Sequence, residues 1–289
     1  MKFKTNKISD IRGHYLDELK KLYPDREAGN FLDMIFEEYF AFSRIDRQLN
    51  PDHRLSESEL LKVHFAIKKL KSFIPIQYIF GKAHFYGLEL FVDENVLIPR
   101  PETEELVQWI VDDCSEGGAG MRILDIGTGS GCLAISLKKA LPLAEVWAMD
   151  ISKDALVVAH KNAESNQVEV NFIHEDILKK DVVKGLSKFD LIVSNPPYVR
   201  ESEKLEISKN VKDHEPAQAL FVNDDDPLVF YRQISKVAMT SLNPGGKLFL
   251  EINQYLANDT IKLLQESGFE ETKLRKDLNG NDRMIRCSK

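Results

Sequence analysis

Up to about residue 73, apolar residues recur along the chain at steps of three and four, which is the spacing of one face of an α-helix. Pro24 interrupts the first run. Ser56 followed by Glu59 is typical of a capping box, in which the two side chains bond backbone amides at the start of a helix. The pattern therefore predicts a small helical domain, with helices near residues 8–22, 31–42 and 60–73.

Between residues 74 and 100 the helical spacing is lost, and aromatic residues alternate with glycines in short segments. Such segments are typical of strands joined by tight turns. We therefore predict a β-hairpin connector, with strands near residues 78–81, 85–87 and 89–92.

From Met121 onward, short apolar segments alternate with stretches of helical spacing, which predicts an α/β domain with a doubly wound, Rossmann-like sheet. Ser152 and the pair Asp226-Pro227 carry signals expected at the starts of two crossover helices. Asn279-Gly280-Asn281 predicts a closing hairpin between residues 271–276 and 283–287. The strands expected in the sheet are residues 122–126, 145–149, 170–174, 189–194 and 247–252.

The changes in pattern divide the 289 residues into three predicted parts, which are a helical domain at 1–74, a hairpin connector at 75–100 and an α/β domain at 101–289. No apolar run approaches the roughly 20 residues that span a bilayer, and the basic N-terminus lacks the apolar stretch of a secretory signal. We therefore expect a cytoplasmic protein that does not enter membranes.

Charge and cysteine content narrow the class of protein further. The formal net charge of −7 argues against a nucleic-acid substrate, which would favour a basic face. Cys114, Cys132 and Cys287 are scattered along the chain and form no cluster with histidines. We therefore predict neither a disulfide framework nor a metal site.

The turn Gly127-Thr128-Gly129-Ser130-Gly131 follows an apolar strand, and its glycines allow a ligand to approach the backbone closely. Asp150 ends the next predicted strand, where a carboxylate can accept both hydrogen bonds of a ribose diol. The residue three after Gly129 is Cys132 instead of the glycine of a dinucleotide fingerprint, so the spacing favours S-adenosylmethionine over NAD. The alternative is that the glycines only form a tight turn.

Two further acids are candidates for the same site. Asp176 follows the third predicted strand, where it can accept the adenine amino group or else act as a helix cap or solvated loop acid. Asp125 lies within the first strand, where it either orients the glycine turn or meets the ammonium group of the cofactor. The sequence leaves both pairs of roles open.

Asn195-Pro196-Pro197-Tyr198 ends another apolar strand, at the edge of the sheet where doubly wound folds bind ligands. An amide nitrogen is a poor nucleophile, so its methylation requires that its hydrogens be held by acceptors. The Asn195 side-chain oxygen and the Pro196 carbonyl can be these two acceptors, and their hydrogen bonds strengthen as positive charge grows on the nitrogen. Tyr198 would form a planar wall. The alternative is a rigid surface turn.

Four further segments carry more specific motifs, and these are residues 75–81, 97–104, 214–220 and 277–283. Together with the glycine turn and Asn195-Pro196-Pro197-Tyr198, they resemble the release-factor glutamine methyltransferases, the PrmC or HemK family, and the resemblance extends over nearly the whole chain. The glycine turn alone marks only methyltransferases in general, and Asn-Pro-Pro-Tyr is also similar to the motif of adenine amino-methyltransferases. The chain departs from the family at Asn253, where glycine is usual, and this puts the local backbone in doubt.

The resemblance implies a class I methyltransferase sheet and a helical domain that helps to dock a peptide chain release factor, whose Gly-Gly-Gln loop enters the site. S-adenosylmethionine would methylate the glutamine amide nitrogen and leave as S-adenosylhomocysteine. We expect a monomer. Carried over by position, Gly127, Thr128, Gly129, Ser130, Gly131, Asp150, Asp176, Ile177 and Asn195 would hold the cofactor, and Asn195, Pro196, Pro197, Tyr198, Arg100 and Pro101 the substrate, with Asn195, Pro196 and Tyr198 catalytic.

Three other functions remain as alternatives. A glutamine methyltransferase of a ribosomal protein would differ only in its N-terminal domain and entrance. An adenine amino-methyltransferase would flip its base into the same pocket, and it predicts a basic face and a target-recognition insert that the sequence lacks. A non-catalytic binding module on the same fold predicts an eroded glycine turn or tetrapeptide, yet both are intact.

Overall fold

The computed structural model describes residues 5–114, 118–179, 182 and 188–289. The chain forms two compact units, each with its own core. The first comprises residues 1–80 together with 209–214, and the second comprises residues 81–208 and 215–289. The three parts predicted from the sequence, with boundaries after residues 74 and 100, were assigned by their roles, and this division stays a prediction.

The first unit is helical, as its apolar spacing predicted. Its core contains residues at three- and four-residue steps, such as Ile8, Ile11 and Tyr15. Ser56 and Glu59 form the predicted capping box, in which each side chain bonds the backbone amide of the other. The helices are α1 (Ile8–Leu19), α2 (Asp25–Phe40), α3 (Arg44–Leu49), α4 (Glu57–Lys71), α5 (Ile76–Phe80) and α9 (Lys209–His214).

The strand predicted at residues 78–81 was wrong, because residues 78–80 lie in helix α5 and Gly81 lies in the turn that follows it. Its aromatic residues favour strands intrinsically, but such propensity yields to tertiary packing. Ile76 is buried in the helical core, and the ring of Phe80 meets Tyr39 edge-on with centroids 5.6 Å apart. A hydrogen bond from the Ile79 amide to the Pro75 carbonyl, 3.1 Å long, closes the first turn.

The second unit is built on a seven-stranded sheet. Its strands are β3 (Arg122–Ile126), β4 (Glu145–Asp150), β5 (Asn171–His174), β6 (Phe189–Ser194), β9 (Leu242–Glu251), β10 (Glu270–Lys276) and β11 (Asp282–Ser288). They lie in the order β10-β11-β9-β6-β3-β4-β5. The strands from β9 to β5 pair in parallel, and β11 is antiparallel to both of its neighbours. The predicted doubly wound sheet is therefore confirmed.

Helices cover both faces of this sheet. They are α6 (Pro101–Asp113), α7 (Cys132–Ala140), α8 (Lys153–Ser165), α10 (Ala217–Leu220), α11 (Val229–Ser241) and α12 (Ala257–Glu266). Ile123 packs with helices α6 and α7, while its neighbour Leu124 packs with α11 and α12, because successive side chains of a strand point to opposite faces. The helix start predicted at Asp226-Pro227 was two residues early, since α11 begins at Val229 and the Asp226 carboxylate pairs with Arg232.

Two short pairs of strands lie outside the main sheet. The antiparallel hairpin of β1 (Lys82–Phe85) and β2 (Leu88–Phe91) turns at Tyr86 and Gly87, and β7 (Val199–Arg200) runs parallel to β8 (Phe221–Val222). Across the described ranges, no helix combines the length and the apolar character needed to cross a membrane.

Gly131 provides a test of the packing at the start of α7. Its φ is +83°, and a Cβ atom there would lie 2.8 Å from Ile135 Cδ1 and 3.2 Å from Ala159 Cβ. Gly131→Ala should therefore lower the free energy of unfolding by about 2 kcal/mol or more, because backbone strain and overpacking add together. Gly120→Ala is the matched control, because the φ of Gly120 is +73° and no atom lies within 4 Å of an added Cβ atom. Only the backbone strain remains there, so the free energy of unfolding should fall by only about 1 kcal/mol. Thermal unfolding followed by circular dichroism measures both, and equal shifts would contradict the packing.

Candidate active site

The glycine turn joins β3 to α7 at the carboxyl edge of the sheet. The amides of Gly127 and Thr128 both donate to the Met149 carbonyl, at 2.8 and 2.9 Å, which ties the turn to the neighbouring strand β4. Gly127 and Gly129 have positive φ, and a Cβ atom at either would have no atom within 4 Å. The turn therefore leaves open space beside bare backbone, as a close-fitting ligand requires.

Asp150 is the last residue of β4 and faces this turn. Its Oδ2 accepts the Gly129 amide at 2.8 Å, and its Oδ1 accepts the Ser152 amide at 2.8 Å. Burial raises the pKa of Asp150, and these backbone hydrogen bonds oppose the rise. A carboxylate oxygen accepts up to two hydrogen bonds, so both oxygens keep capacity for a ligand diol.

Asp125 lies beneath the turn. It is fully buried, and its carboxylate accepts the Thr128 hydroxyl at 2.6 Å. Burial raises the pKa of Asp125 to about 7. Asp125 does not line the cavity that opens beside the glycine turn. The geometry therefore favours a role in orienting this turn over contact with the ammonium group of a ligand.

A cavity opens between the ends of the strands. Of the predicted cofactor residues, Thr128, Ser130 and Gly131 do not line it; the side chains of Thr128 and Ser130 are buried, and Gly131 caps α7. Leu97, Phe230 and Ile234 form part of an apolar wall that the sequence analysis did not identify. The predicted site residues that do line the cavity are Gly127, Gly129, Asp150, Asp176, Ile177, Asn195, Pro196 and Pro197.

Asp176 serves two local purposes. It lines the cavity, and its Oδ1 accepts the Leu178 amide at 2.9 Å, as in a turn or helix cap. The two alternatives left open by the sequence are therefore compatible with each other.

Asn195 follows the last residue of β6 and is held by a side chain from another element. Its Nδ2 donates to Thr103 Oγ1 at 3.2 Å. Tyr198 does not line the cavity, and its hydroxyl donates to Glu251 Oε1 at 3.1 Å. Burial raises the pKa of Tyr198 well above its ordinary value. The aromatic ring is thus fixed by its polar end.

Arg100 and Pro101, predicted to bind substrate, do not line the cavity either. Arg100 pairs with Glu215, with 2.7 Å between Nη2 and Oε1, and the other Glu215 oxygen accepts the Ile98 amide at 3.1 Å. Pro101 is exposed at the first position of α6, where its missing amide hydrogen costs nothing. Glu215 therefore fixes the backbone that precedes this helix.

The backbone at Asn253, which the resemblance put in doubt, is not distorted. Its φ is −66°, which any residue adopts, and its side-chain oxygen caps a 3₁₀ turn by accepting the Tyr255 amide at 2.9 Å. Its Nδ2 donates to the Tyr198 carbonyl at 2.9 Å and to Glu203 at 3.0 Å. Asn253 thus supports the backbone of the Asn-Pro-Pro-Tyr segment.

The contacts of Thr103 and Glu251 with the site were not predicted from the sequence. Glu251 offered a signal, since it is a charged residue inside the apolar segment 248–252 and therefore needs a partner if it is buried. Thr103 offered no signal of its own beyond its place in the segment 97–104, because a threonine in the first turn of a helix is ordinary.

Titration of Asp125 tests the burial of this carboxyl group beneath the glycine turn. We expect a carboxyl group with a pKa of about 7 in ¹³C NMR spectra, absent from Asp125→Asn. Because the folded pKa lies above the ordinary 3.8, the contribution of this group to stability is greatest below pH 3.8 and is lost as the pH rises towards 7. A carboxyl group that titrates at its ordinary value would show that Asp125 is solvated.

Comparisons with known proteins agree with this geometry. The methyltransferase small domain model matches residues 103–217, and the PrmC N-terminal domain model matches residues 14–81. The release factor glutamine methyltransferase of Flavobacterium psychrophilum is 47% identical over 97% of this chain and 99% of that protein. That of Bacteroides thetaiotaomicron is 42% identical over 98% of this chain and 100% of that protein.

Among solved structures, the Thermus thermophilus 16S rRNA N2-G1207 methyltransferase, in complex with AdoMet and guanosine, is 23% identical. It has a TM-score of 0.51 and covers 72% of this chain and 49% of that chain, a likeness that concerns the fold alone. The two domain models and the full-length relatives lead to one conclusion, which the sequence motifs predicted: the chain belongs to the release factor glutamine methyltransferase family.

Proposed function

We propose that this enzyme transfers a methyl group from S-adenosylmethionine to the side-chain amide nitrogen of the glutamine in the Gly-Gly-Gln motif of peptide chain release factors. The observation that carries the proposal is the position of the Asn195 side chain, which borders the cavity and is held by Thr103. Full-length similarity to release factor glutamine methyltransferases supports the same substrate.

The cavity suits a cationic nucleoside. Its lining includes the acids Asp150, Glu175 and Asp176, and no lysine or arginine occurs among the described residues that line it. Bound S-adenosylmethionine supplies an electrophilic methyl group on a positively charged sulfonium. Asp150 would hold the ribose diol, the backbone of Gly127 and Gly129 would lie against the nucleoside, and Asp176 with Ile177 would flank the adenine.

Asn195 and Pro196 would hold the substrate glutamine. The Asn195 Oδ1 and the Pro196 carbonyl accept the two hydrogens of the glutamine amide, which directs the nitrogen lone pair towards the methyl donor. The acidity of these hydrogens increases as the nitrogen becomes positive, so both bonds stabilise the transition state more than the ground state. The extra proton is lost to water after transfer, and no strong base in the chain is required.

The other parts of the chain have roles in the same proposal. The helical residues 1–74 would dock the body of the release factor, and Arg100, Pro101 and the ring of Tyr198 would border the entrance for its loop. Release factors act in the cytoplasm, which is the compartment that the proposal implies. The monomeric state stays a prediction.

Transfer of labelled methyl groups tests the substrate. We expect label on a purified release factor and none on a variant whose Gly-Gly-Gln glutamine is replaced by alanine. Ribosomal protein and duplex DNA serve as parallel acceptors. Label on either of these in place of the release factor would reassign the substrate, and no label on any acceptor would overturn the proposed activity.

Two substitutions separate the proposed roles within the site. Asn195→Ala should lower kcat by about 100-fold or more, since it removes a hydrogen-bond acceptor for developing charge, while affinity for S-adenosylhomocysteine stays within a few-fold. Asp150→Ala should weaken that affinity by about tenfold to 100-fold, with Asp150→Asn intermediate because it keeps one acceptor oxygen. Isothermal titration and initial rates measure both, and a reversed pattern would refute the assignment of these roles.

A further inference from the structure

Glu251 is a buried carboxylate to which the reaction described above assigns no role. It is the last residue of β9, and 1% of its surface is exposed. Its Oε2 accepts the Thr103 hydroxyl at 2.7 Å, and its Oε1 accepts the Tyr198 hydroxyl at 3.1 Å. Thr103, equally buried, also contacts Asn195 Nδ2 at 3.2 Å. A continuous chain of hydrogen bonds therefore leads from Glu251 to the side chain of Asn195.

Each hydrogen bond between Glu251, Thr103 and Asn195 has a fixed direction from donor to acceptor. A threonine hydroxyl has a single hydrogen, and here that hydrogen is committed to the Glu251 carboxylate. Towards Asn195, Thr103 Oγ1 can therefore only accept, so it selects the amino group of the Asn195 amide. The oxygen of that amide, Oδ1, is consequently directed away from Thr103.

We propose that Glu251, acting through Thr103, sets the orientation of the Asn195 amide so that its oxygen faces the substrate. Glu251 and Thr103 are positioning residues in this proposal, which rests on the proposed methylation of an amide nitrogen. The orientation has a chemical consequence, because an exposed oxygen accepts from a substrate amide, whereas an exposed amino group would repel its hydrogens. Glu251 and Thr103 thereby favour substrates that donate a hydrogen bond to the Asn195 side-chain oxygen.

The cost of burying Glu251 favours a functional reason for its presence. A buried carboxylate is unfavourable unless strong partners compensate for the lost water, and here its hydrogen-bond partners are two neutral hydroxyls. Burial raises the pKa of Glu251, while the hydroxyls of Thr103 and Tyr198 and the charge of Arg283 oppose the rise. An apolar residue at the end of this strand would fill the space at lower cost to stability.

The first test observes the orientation directly and needs no substrate. In ¹⁵N NMR spectra, the side-chain amide of Asn195 is assigned by its loss in Asn195→Ala. We expect nuclear Overhauser contacts between this NH₂ group and Thr103, and faster proton exchange in Thr103→Val and Glu251→Gln. An NH₂ group remote from Thr103, or one that neither substitution affects, would overturn the proposal.

The second test measures the consequence for catalysis. Thr103→Val removes the hydroxyl at nearly constant volume and should lower kcat by about tenfold, with a smaller change in KM for the release factor. Thr103→Ser keeps the hydroxyl and should retain more of the rate than Thr103→Val. Glu251→Gln should resemble Thr103→Val, because its amide no longer obliges the hydroxyl to donate.

Combination with Asn195→Ala separates positioning from a general structural effect. If Thr103 and Glu251 act through Asn195, their substitutions should add little to the loss already caused by Asn195→Ala. Fully additive losses would overturn the proposal. A wild-type enzyme that methylates no release factor would instead refute the proposed function, while the NMR test would still decide the orientation of Asn195.

Discussion

The parallel pairing of four strands is the constraint on which the site depends. In the register of the sheet, Ile126 lies opposite both Met149 and Ser194, and Ser194 lies opposite Leu250. The residue that follows each of these positions is a site residue, and together they are Gly127, Asp150, Asn195 and Glu251. The hydrogen bonds between the strands therefore bring the glycine turn and the Asn-Pro-Pro-Tyr segment to one edge without any contribution from loop flexibility.

Burial of acids is the second feature of this edge. Asp125, Asp150 and Glu251 all have pKa values raised by burial, although each also accepts hydrogen bonds that oppose the rise. Acids in such surroundings are costly, and they concentrate at sites where their charge or their hydrogen-bonding capacity is used. Asp125 and Glu251 lie outside the cavity and accept hydroxyl hydrogen bonds from Thr128 and Thr103, whereas Asp150 lies at the cavity itself.

The sequence predicted the features that depend on neighbouring residues. The strands of the sheet, the Ser56 capping box and the glycine turn follow from local spacing and were found as expected. The segment 78–81 was assigned wrongly, since its aromatic residues form a helix whose first residue, Ile76, joins a core assembled from other helices.

The supporting contacts of the site could not be predicted, because they join distant parts of the chain. Thr103 and Glu251 are 148 positions apart, and Arg100 and Glu215 are 115 apart. Local pattern carries no information about such pairs, so Tyr198 and Arg100 were assigned to the substrate without knowledge of the acids that hold them. The motif nevertheless predicted that Asn195 and Pro196 lie at the cavity, since their position at the end of a strand is itself a local property.

The helical unit is discontinuous in sequence, because residues 209–214 belong to it. In this segment, the His214 ring bonds the Ser72 carbonyl at 2.8 Å, and the Lys209 ammonium lies 4.3 Å from the centre of the Phe73 ring. The chain thus passes between the two units three times. If residues 1–80 alone were exchanged between two relatives, α9 would pack against helices from a different protein. Recombination or domain grafting must therefore transfer residues 209–214 together with the N-terminal segment.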